Sequence, residues 1–408
     1  VAINGGIEPD VRLFQAAYIM GFAGYLLLVV VALRKPPDSR TTHWPWWLVG
    51  CLALRVILIA TTPSDDTFRY IWEGRIQLAG FNPYAHAPDD PALTHLRNDD
   101  WASINHPDYP AIYPPVAQAT CLLAAAIHPS PMTVKCIIVF CDLLVILLLA
   151  SVLRAMNQPP HGALLYALCP LVLTSFAVEA HIDSVMLLFT LLSVSAAQAK
   201  RLNLAAIALG LAISSKLIVI ILLPWLFFRS RRSAILAIMV FAMTYLPYAS
   251  AGESLIESLS RFGGGTSFFS LGETLGILDF SSTATKLFVV IVLVSWISLV
   301  SFRTTAYTHA ASASLTILLL LMPIIHYWYL TWVIVFVPFV RQWRWIAAAL
   351  AMVAYFEAHA TRAYTGAWVM PTWSPMIAWG CFGLGWLADV VMTRNRSNDA
   401  RTETPSKN

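Results

Sequence analysis

The stretch Pro63 to Tyr84, PSDDTFRYIWEGRIQLAGFNPY, sets two adjacent carboxylates, an arginine and a glutamate directly after the apolar run CLALRVILIATT. Asp65, Arg69 and Glu73 recur at i, i+4 and i+8, and Asp66 and Tyr70 share an adjacent face, so the spacing predicts a helix. Ser64 is its expected N-cap, and Asp65 and Asp66 fall in the first turn, where the helix dipole favours anions. Gly80 ends the helix and FNPY turns the chain. A capped amphipathic helix on a membrane surface explains all of this without chemistry. Paired carboxylates can also act. One can take the proton of an attacking hydroxyl, and a like-charged neighbour raises the pKa of one of the pair towards neutrality. Asp66 is the preferred base on this reading, with Asp65 second.

Other residues decide between these accounts. LVLTSFAVEAHIDSVMLLFTLL places Glu179, His181 and Asp183 inside apolar sequence, ISSKLIVIILLPW does the same for Lys216, and MPIIHYWYLTW for His326. Ionisable groups at membrane depth are costly and mark functional sites. Each has a bland explanation taken singly: Glu179 and Asp183 can pair with Lys216, and His326 can sit in an interfacial aromatic belt. As a set, with Asp65 and Asp66, they point to a site.

The elements that must position them follow from composition. The 408 residues are 58% apolar and 12% charged, against about 25% charged in a soluble domain. Some thirteen apolar runs recur along the chain, several of the roughly 17–25 residues a spanning helix needs and others shorter. The expected fold is all-α and polytopic, with about 13 transmembrane or re-entrant helices and a long outer first loop carrying short amphipathic helices. A single membrane domain is expected over residues 1–393, followed by a disordered tail, 394–408. The first apolar run, followed by RKPPDSR, reads as a retained spanning helix.

Basic clusters at 34–40, 229–232, 341–344 and 394–401 belong in the cytoplasm by the positive-inside rule. Residues 63–113, 251–285 and 359–374 then face outward, and the C-terminus faces inward. Arg154 and Lys200-Arg201 fit this count poorly, which suggests half-helices around 155–201. The net charge of +4 comes from these flanking clusters, so nucleic acid is not an expected partner. Six cysteines lie in apolar runs without metal-ligand spacing and read as packing residues. The loop 63–112 holds 8 of the 22 acidic residues, with three arginines and no lysine. Loops of this length are functional or disordered, and its aromatics and prolines argue for order.

Four motifs in series, SDDTFRYIWEGRIQLAGFNPY, HPDYPAIYPPVAQ, EAHIDSVMLL and HYWYLTW, resemble the bacterial GT-C superfamily of integral-membrane glycosyltransferases. The nearest likeness is to the polyprenyl-phosphate-mannose-dependent mannosyltransferases, over about residues 60–335. The resemblance implies a catalytic acid in the first outer loop, where Asp65 and Asp66 stand, and a donor lipid phosphate in a membrane groove. It departs at Glu73, where an aspartate is common, and at Tyr327, where a proline is common.

The chemistry needs a base for the acceptor hydroxyl and positive charge for the departing phosphate. Arg69, His181, Lys216, Arg261 and His326 are the candidate phosphate ligands. Arg261 lies in the glycine-rich segment 251–285, a candidate lid. Tyr70, Glu73, Tyr84, Tyr113, Glu179, Asp183 and Trp328 are expected to line the substrate groove. The implied partners are a polyprenyl-phosphate sugar, a glycan or glycolipid acceptor and membrane lipids, with inversion at the anomeric carbon in a bacterial inner membrane. No cofactor is expected; the carboxylates would suit a divalent cation, but no spacing demands one. A secondary transporter with an intramembrane Glu/Asp/Lys site is the alternative, and a non-catalytic assembly factor is the third reading.

Overall fold

A computed structural model describes residues 10–34, 46–255 and 267–402. The described chain is helical throughout, and its one extended pairing is an isolated parallel bridge between Phe268 and Ile324. Among the described residues four helices are long and apolar enough to cross a membrane unaided: Val11–Val30, Pro131–Ala155, Thr283–Arg303 and Trp373–Arg394. The pair Pro160–Ala167 and Pro170–Val178 makes a fifth if its 64° bend is one broken span, and shorter apolar helices complete the bundle. Large apolar side chains face outward along these helices, among them Leu27, Phe140, Val294 and Leu387. That is how a surface solvated by lipid differs from one solvated by water.

Segments at 326–332 and 355–362 complete the site, whose carboxylates, His181 and Lys216 are carried by the first eleven α-helices. They are α1 (Val11–Arg34), α2 (Trp46–Leu58), α3 (Asp65–Leu78), α4 (Pro115–Ile127), α5 (Pro131–Ala155), α6 (Leu164–Ala167), α7 (Pro170–Leu173), α8 (Asp183–Gln198), α9 (Leu202–Ser215), α10 (Leu223–Arg229) and α11 (Arg231–Thr244). Thr174–Val178 extends α7 as a wider π-turn. Proline at the first turn of α4, α5 and α7 suits a position whose N–H has no helical acceptor.

Two ends of the bundle are chemically distinct. At the acidic end, Arg12 pairs with Glu357, the Lys135 ammonium donates to the Thr61 carbonyl (2.5 Å), and the Tyr248 hydroxyl donates to Gln77 (2.9 Å). At the other end Arg229 caps the Thr304 carbonyl (2.5 Å), Ser233 bonds Asn203 (3.0 Å) and Ser312 bonds Gln342 (2.9 Å). Following the chain between these marks puts Arg154, Lys200, Arg201, Arg229, Arg303, Arg341, Arg344 and Arg394 at the second, basic end.

Arg154 and Lys200-Arg201 are thereby reconciled with the other basic clusters. The break around 160–178 exists, but the counting conflict has another source. α4 lies along α3, where Gln118 Nε2 donates to Glu73 (2.6 Å), and Lys135, in the second turn of α5, is already back at Thr61. α4 therefore returns the chain to the end it left. The apolar run 203–228, which reads as one segment, is divided at Lys216 into α9 and a 3-10 turn leading into α10.

Below the acidic end, α2 is fixed by a buried ion pair. Arg55 Nε donates to Asp142 of α5 (2.6 Å), whose second oxygen accepts from the Tyr166 hydroxyl (2.7 Å). Arg55 also donates to the carbonyls of Cys51 and Ala167. Inside the hydrocarbon such a charge is tolerated because its partners are supplied by three helices.

Candidate active site

Ser64 occupies the N-cap position of α3 in the expected extended conformation (φ −67°, ψ 165°), yet its hydroxyl caps nothing. It donates instead to the Glu179 carbonyl (2.8 Å), which also accepts the Ser64 N–H (3.3 Å). The start of α3 is thus fastened to the broken helix after α7. At that break Ala180 is in the left-handed region (φ 61°), and the His181 N–H returns to the Ser175 carbonyl (2.9 Å). This turn swings His181 under the first turn of α3.

Asp66 is held from two sides. Asn105 of the returning loop donates to Oδ1 (2.6 Å), and His181 Nδ1 lies 3.2 Å from Oδ2. His181 Nε2 is 3.2 Å from the Tyr327 hydroxyl, so the residue standing where proline is common supports the histidine. The imidazole stacks on Trp328 (centroids 3.7 Å apart, 18°), and Trp328 stacks on His326 (4.4 Å, 7°). His326 Nδ1 is 2.8 Å from the Tyr355 hydroxyl. Asp65 faces the other way, with Arg362 of the helix Glu357–Thr365 3.9 Å away.

The two carboxylates are driven apart. Burial pushes Asp66 up, but the His181 contact and the Asn105 hydrogen bond prevail and bring it down to about 2. Burial, then the adjacent Asp66 charge, raises Asp65 to about 6 against the smaller opposing effect of Arg362. One carboxylate is held below its ordinary range and the other is raised above it.

Behind this pair, Asp183 at the start of α8 accepts from Lys216 (2.7 Å) and from the Trp332 indole (2.6 Å). The Lys216 ammonium also lies over the rings of Tyr329 (4.9 Å) and Trp332 (5.0 Å). Lys216 caps the break after α9, and one ammonium proton satisfies Asp183, leaving others for an anion.

The remaining expected residues divide between the site and its frame. Arg69 donates to Glu73 (2.7 Å) and to the carbonyls of His106 (3.0 Å) and Tyr109 (2.6 Å), and so ties the loop to α3. Glu73 completes that clamp through Gln118. Tyr70 and Tyr113 meet edge to face with hydroxyls 3.4 Å apart, and Tyr84 donates to the Tyr113 carbonyl (2.7 Å). Glu179 is buried and contributes its main-chain carbonyl to the α3 start. Trp328 has an imidazole against each face, so its role is to hold the histidines. Arg261 and the centre of the candidate lid, 256–266, lie outside the described residues.

Asn105, Tyr327, Tyr355, Arg362 and His359, whose ring lies 6.3 Å from that of Tyr355, are additional to the expected set. HATR, at 359–362, places a histidine and an arginine just past an apolar run, and that was a usable signal. Asn105 carried none, because a lone asparagine in a polar loop is unremarkable. Asp65 and Asp66 offer oxygen ligands to a cation; among the described residues no group of three or more His, Cys, Asp or Glu converges as a metal cage.

An all-α polytopic membrane protein with a carboxylate–histidine pair beside a long loop has the build of a GT-C-like membrane glycosyltransferase. Residues 8–230, more than half of the chain, match the family model described as alpha-(1->6)-mannopyranosyltransferase, N-terminal domain. The chain belongs to this MptA_B family and is a mannosyl-transferring membrane glycosyltransferase. No curated protein matches it significantly. Membership favours a transferase over a secondary transporter.

Proposed function

We propose that the acidic end is the active site, and that it moves mannose from a polyprenyl-phosphate donor to a hydroxyl of a glycan or glycolipid acceptor. The observation that supports this most is Asp66, set between Asn105 and His181, with His326 across Trp328 from His181 and Lys216 on the neighbouring Asp183. The acceptor oxygen attacks the anomeric carbon as its proton passes to Asp66. The bond from that carbon to the phosphate oxygen breaks, and the polyprenyl phosphate leaves with the electron pair. One displacement inverts the anomeric configuration. Lys216 and His326 are the proposed donors to the departing phosphate; His181, with one nitrogen at Asp66 and the other at Tyr327, positions the base, and Arg69 serves as loop clamp. The leaving group arrives on the donor, so no cofactor is invoked. The family description suggests an α-(1→6) linkage.

Asp65 is the second candidate base, on the observation that its carboxyl is raised to about 6. A base works best with its pKa near the operating pH. We place this end on the extracytoplasmic side of a bacterial inner membrane, because the arginines and lysines gather at the opposite end.

Radiolabelled polyprenyl-phosphate mannose, glucose and arabinose, and a nucleotide-linked mannose, offered separately to the purified protein, test the reading. Label should leave the polyprenyl-phosphate mannose for an acceptor saccharide. Transfer from the nucleotide sugar alone would overturn it.

A further inference from the structure

Asn105 has hydrogen-bonding capacity beyond its contact with Asp66. An ionised carboxylate only accepts, so the atom 2.6 Å from Asp66 Oδ1 is the amide nitrogen and not the amide oxygen. That contact sets which way the amide faces. Of its four hydrogen-bonding positions the side chain uses one, and Asp66 is its single hydrogen-bond partner among the described residues. The second N–H and the carbonyl oxygen are left over. The side chain is half-buried, so these groups are within reach of a ligand.

The turn that follows holds this amide in place. Arg69, itself buried, donates to the carbonyls of His106 (3.0 Å) and Tyr109 (2.6 Å), and the Tyr109 N–H returns to the His106 carbonyl (3.1 Å). His106 is in the left-handed region (φ 44°), a conformation costly to a residue with a Cβ. Pro107, next in the chain, fixes one more dihedral of the turn. Strain of this kind persists where the surroundings over-determine it. Here it fixes a donor and an acceptor beside the proposed base.

A hydroxyl that gives its proton to Asp66 comes within about 2.6–3.2 Å of a carboxylate oxygen. Asn105 flanks one of those oxygens and His181 the other, so polar atoms next to the attacking oxygen meet the Asn105 amide. The family description suggests attack by O6 of a pyranoside. Two polar groups flank O6 on such a ring. The ring oxygen only accepts and suits the spare N–H; the O4 hydroxyl can donate and suits the amide carbonyl. We propose that Asn105 recognises the acceptor sugar through these two groups, the ring oxygen and the O4 hydroxyl of a hexopyranoside attacking through O6. The proposal rests on the reading of the acidic end as the active site, and adds to it the residue that selects the acceptor.

The test uses the full chain in a neutral, sugar-free detergent, with methyl α-mannoside and its 2-deoxy and 4-deoxy analogues as probes. Binding of each is titrated by saturation-transfer NMR without donor, and transfer to each from labelled polyprenyl-phosphate mannose is measured in parallel. The native protein should bind the 4-deoxy analogue about fivefold more weakly than the parent, and the 2-deoxy analogue as well as the parent. Asn105→Ala should slow transfer to all three, because Asp66 loses a partner, and should bring the ratio of 4-deoxy to parent affinity to one. A residue that merely positioned Asp66 would leave that ratio at its native value. If Asn105→Ala does not fold, Asn105→Ser, whose side chain is too short to serve both partners, is read in its place. Selective binding that depends on Asn105, without transfer, supports the sugar contact and refutes the transferase reading of this site. Transfer with a ratio the variants leave unchanged overturns the proposal alone, as does a native protein that binds none of the probes or all of them equally.

Discussion

Replacing Asp66 with asparagine separates the catalytic role of this carboxylate from its structural one. The volume is kept, and the new amide oxygen can still accept from Asn105, 2.6 Å away in the native protein. What disappears is the negative charge on that bond and on the 3.2 Å approach of His181. Charge-assisted hydrogen bonds exceed neutral ones by about 1 kcal/mol, so the loss of stability should be of that order. Removing a general base costs about 10²–10⁴-fold in rate, or about 3–5 kcal/mol of barrier. The rate should therefore collapse in a protein that still folds. Initial rates from labelled polyprenyl-phosphate mannose, beside thermal unfolding of the same sample, measure both. Asp65→Asn is the companion, and pH tells the two apart. With Asp65 at about 6 and Asp66 at about 2, a rate that needs Asp65 ionised falls tenfold per unit below pH 6. A rate that needs only Asp66 stays level there. Stability carries opposite signs. The native protein takes up the Asp65 proton near 6 and the unfolded chain near 3.9, so this group favours the fold increasingly as pH falls from 6 towards 4. Asp66 stabilises above about 4, and that contribution fades as pH falls towards 2. Full activity in Asp66→Asn, with loss in Asp65→Asn and an acid limb near 6, would transfer the base to Asp65. Full activity in both variants would refute catalysis by this pair.

Two further substitutions test the frame. A Cβ on Gly74 would overlap the Cys121 carbonyl oxygen and stand 2.7 Å from Ala125 Cβ, so Gly74→Ala must push α3 off α4. A loss of about 1–3 kcal/mol is expected in thermal unfolding, with reduced transfer, whereas Gly24→Ala, with nothing within 4 Å of the added carbon, should not destabilise. Asp142→Asn strips the partner from Arg55, whose side chain is fully buried, and should cost about 3–5 kcal/mol. Arg55→Met combined with Asp142→Leu should recover much of that loss in the same assay, because it removes the stranded charge.

The membrane class was legible in the sequence because lipid acts on composition: long apolar runs and few charges are required whatever the helices pack against. The acids of α3 were legible for a related reason, since a carboxylate pair beside a spanning run needs an explanation. Much of the rest depended on contacts between distant segments. Asn105 reaches Asp66 across 39 residues of chain, and Arg362 approaches Asp65 from almost 300 residues away. Neither segment has a periodicity that announces the meeting. The Ser64 cap shows the limit more closely. The cap position and backbone angles are as the local pattern dictates, but the break after Val178 leaves the Glu179 carbonyl needing donors. Ser64 supplies two of them, its hydroxyl and its N–H, so a motif that reads as the end of one helix joins two. α4 makes the same argument at larger scale. Its thirteen residues are as apolar as a short span, and hydropathy alone could not show that it turns back. The misplaced charges could. Arg154 and Lys200-Arg201 disagreed with the positive-inside rule only while α4 was counted as a crossing, and once it is laid along α3 they join the basic end. Charge placement thus constrained the topology where hydropathy had no power to do so.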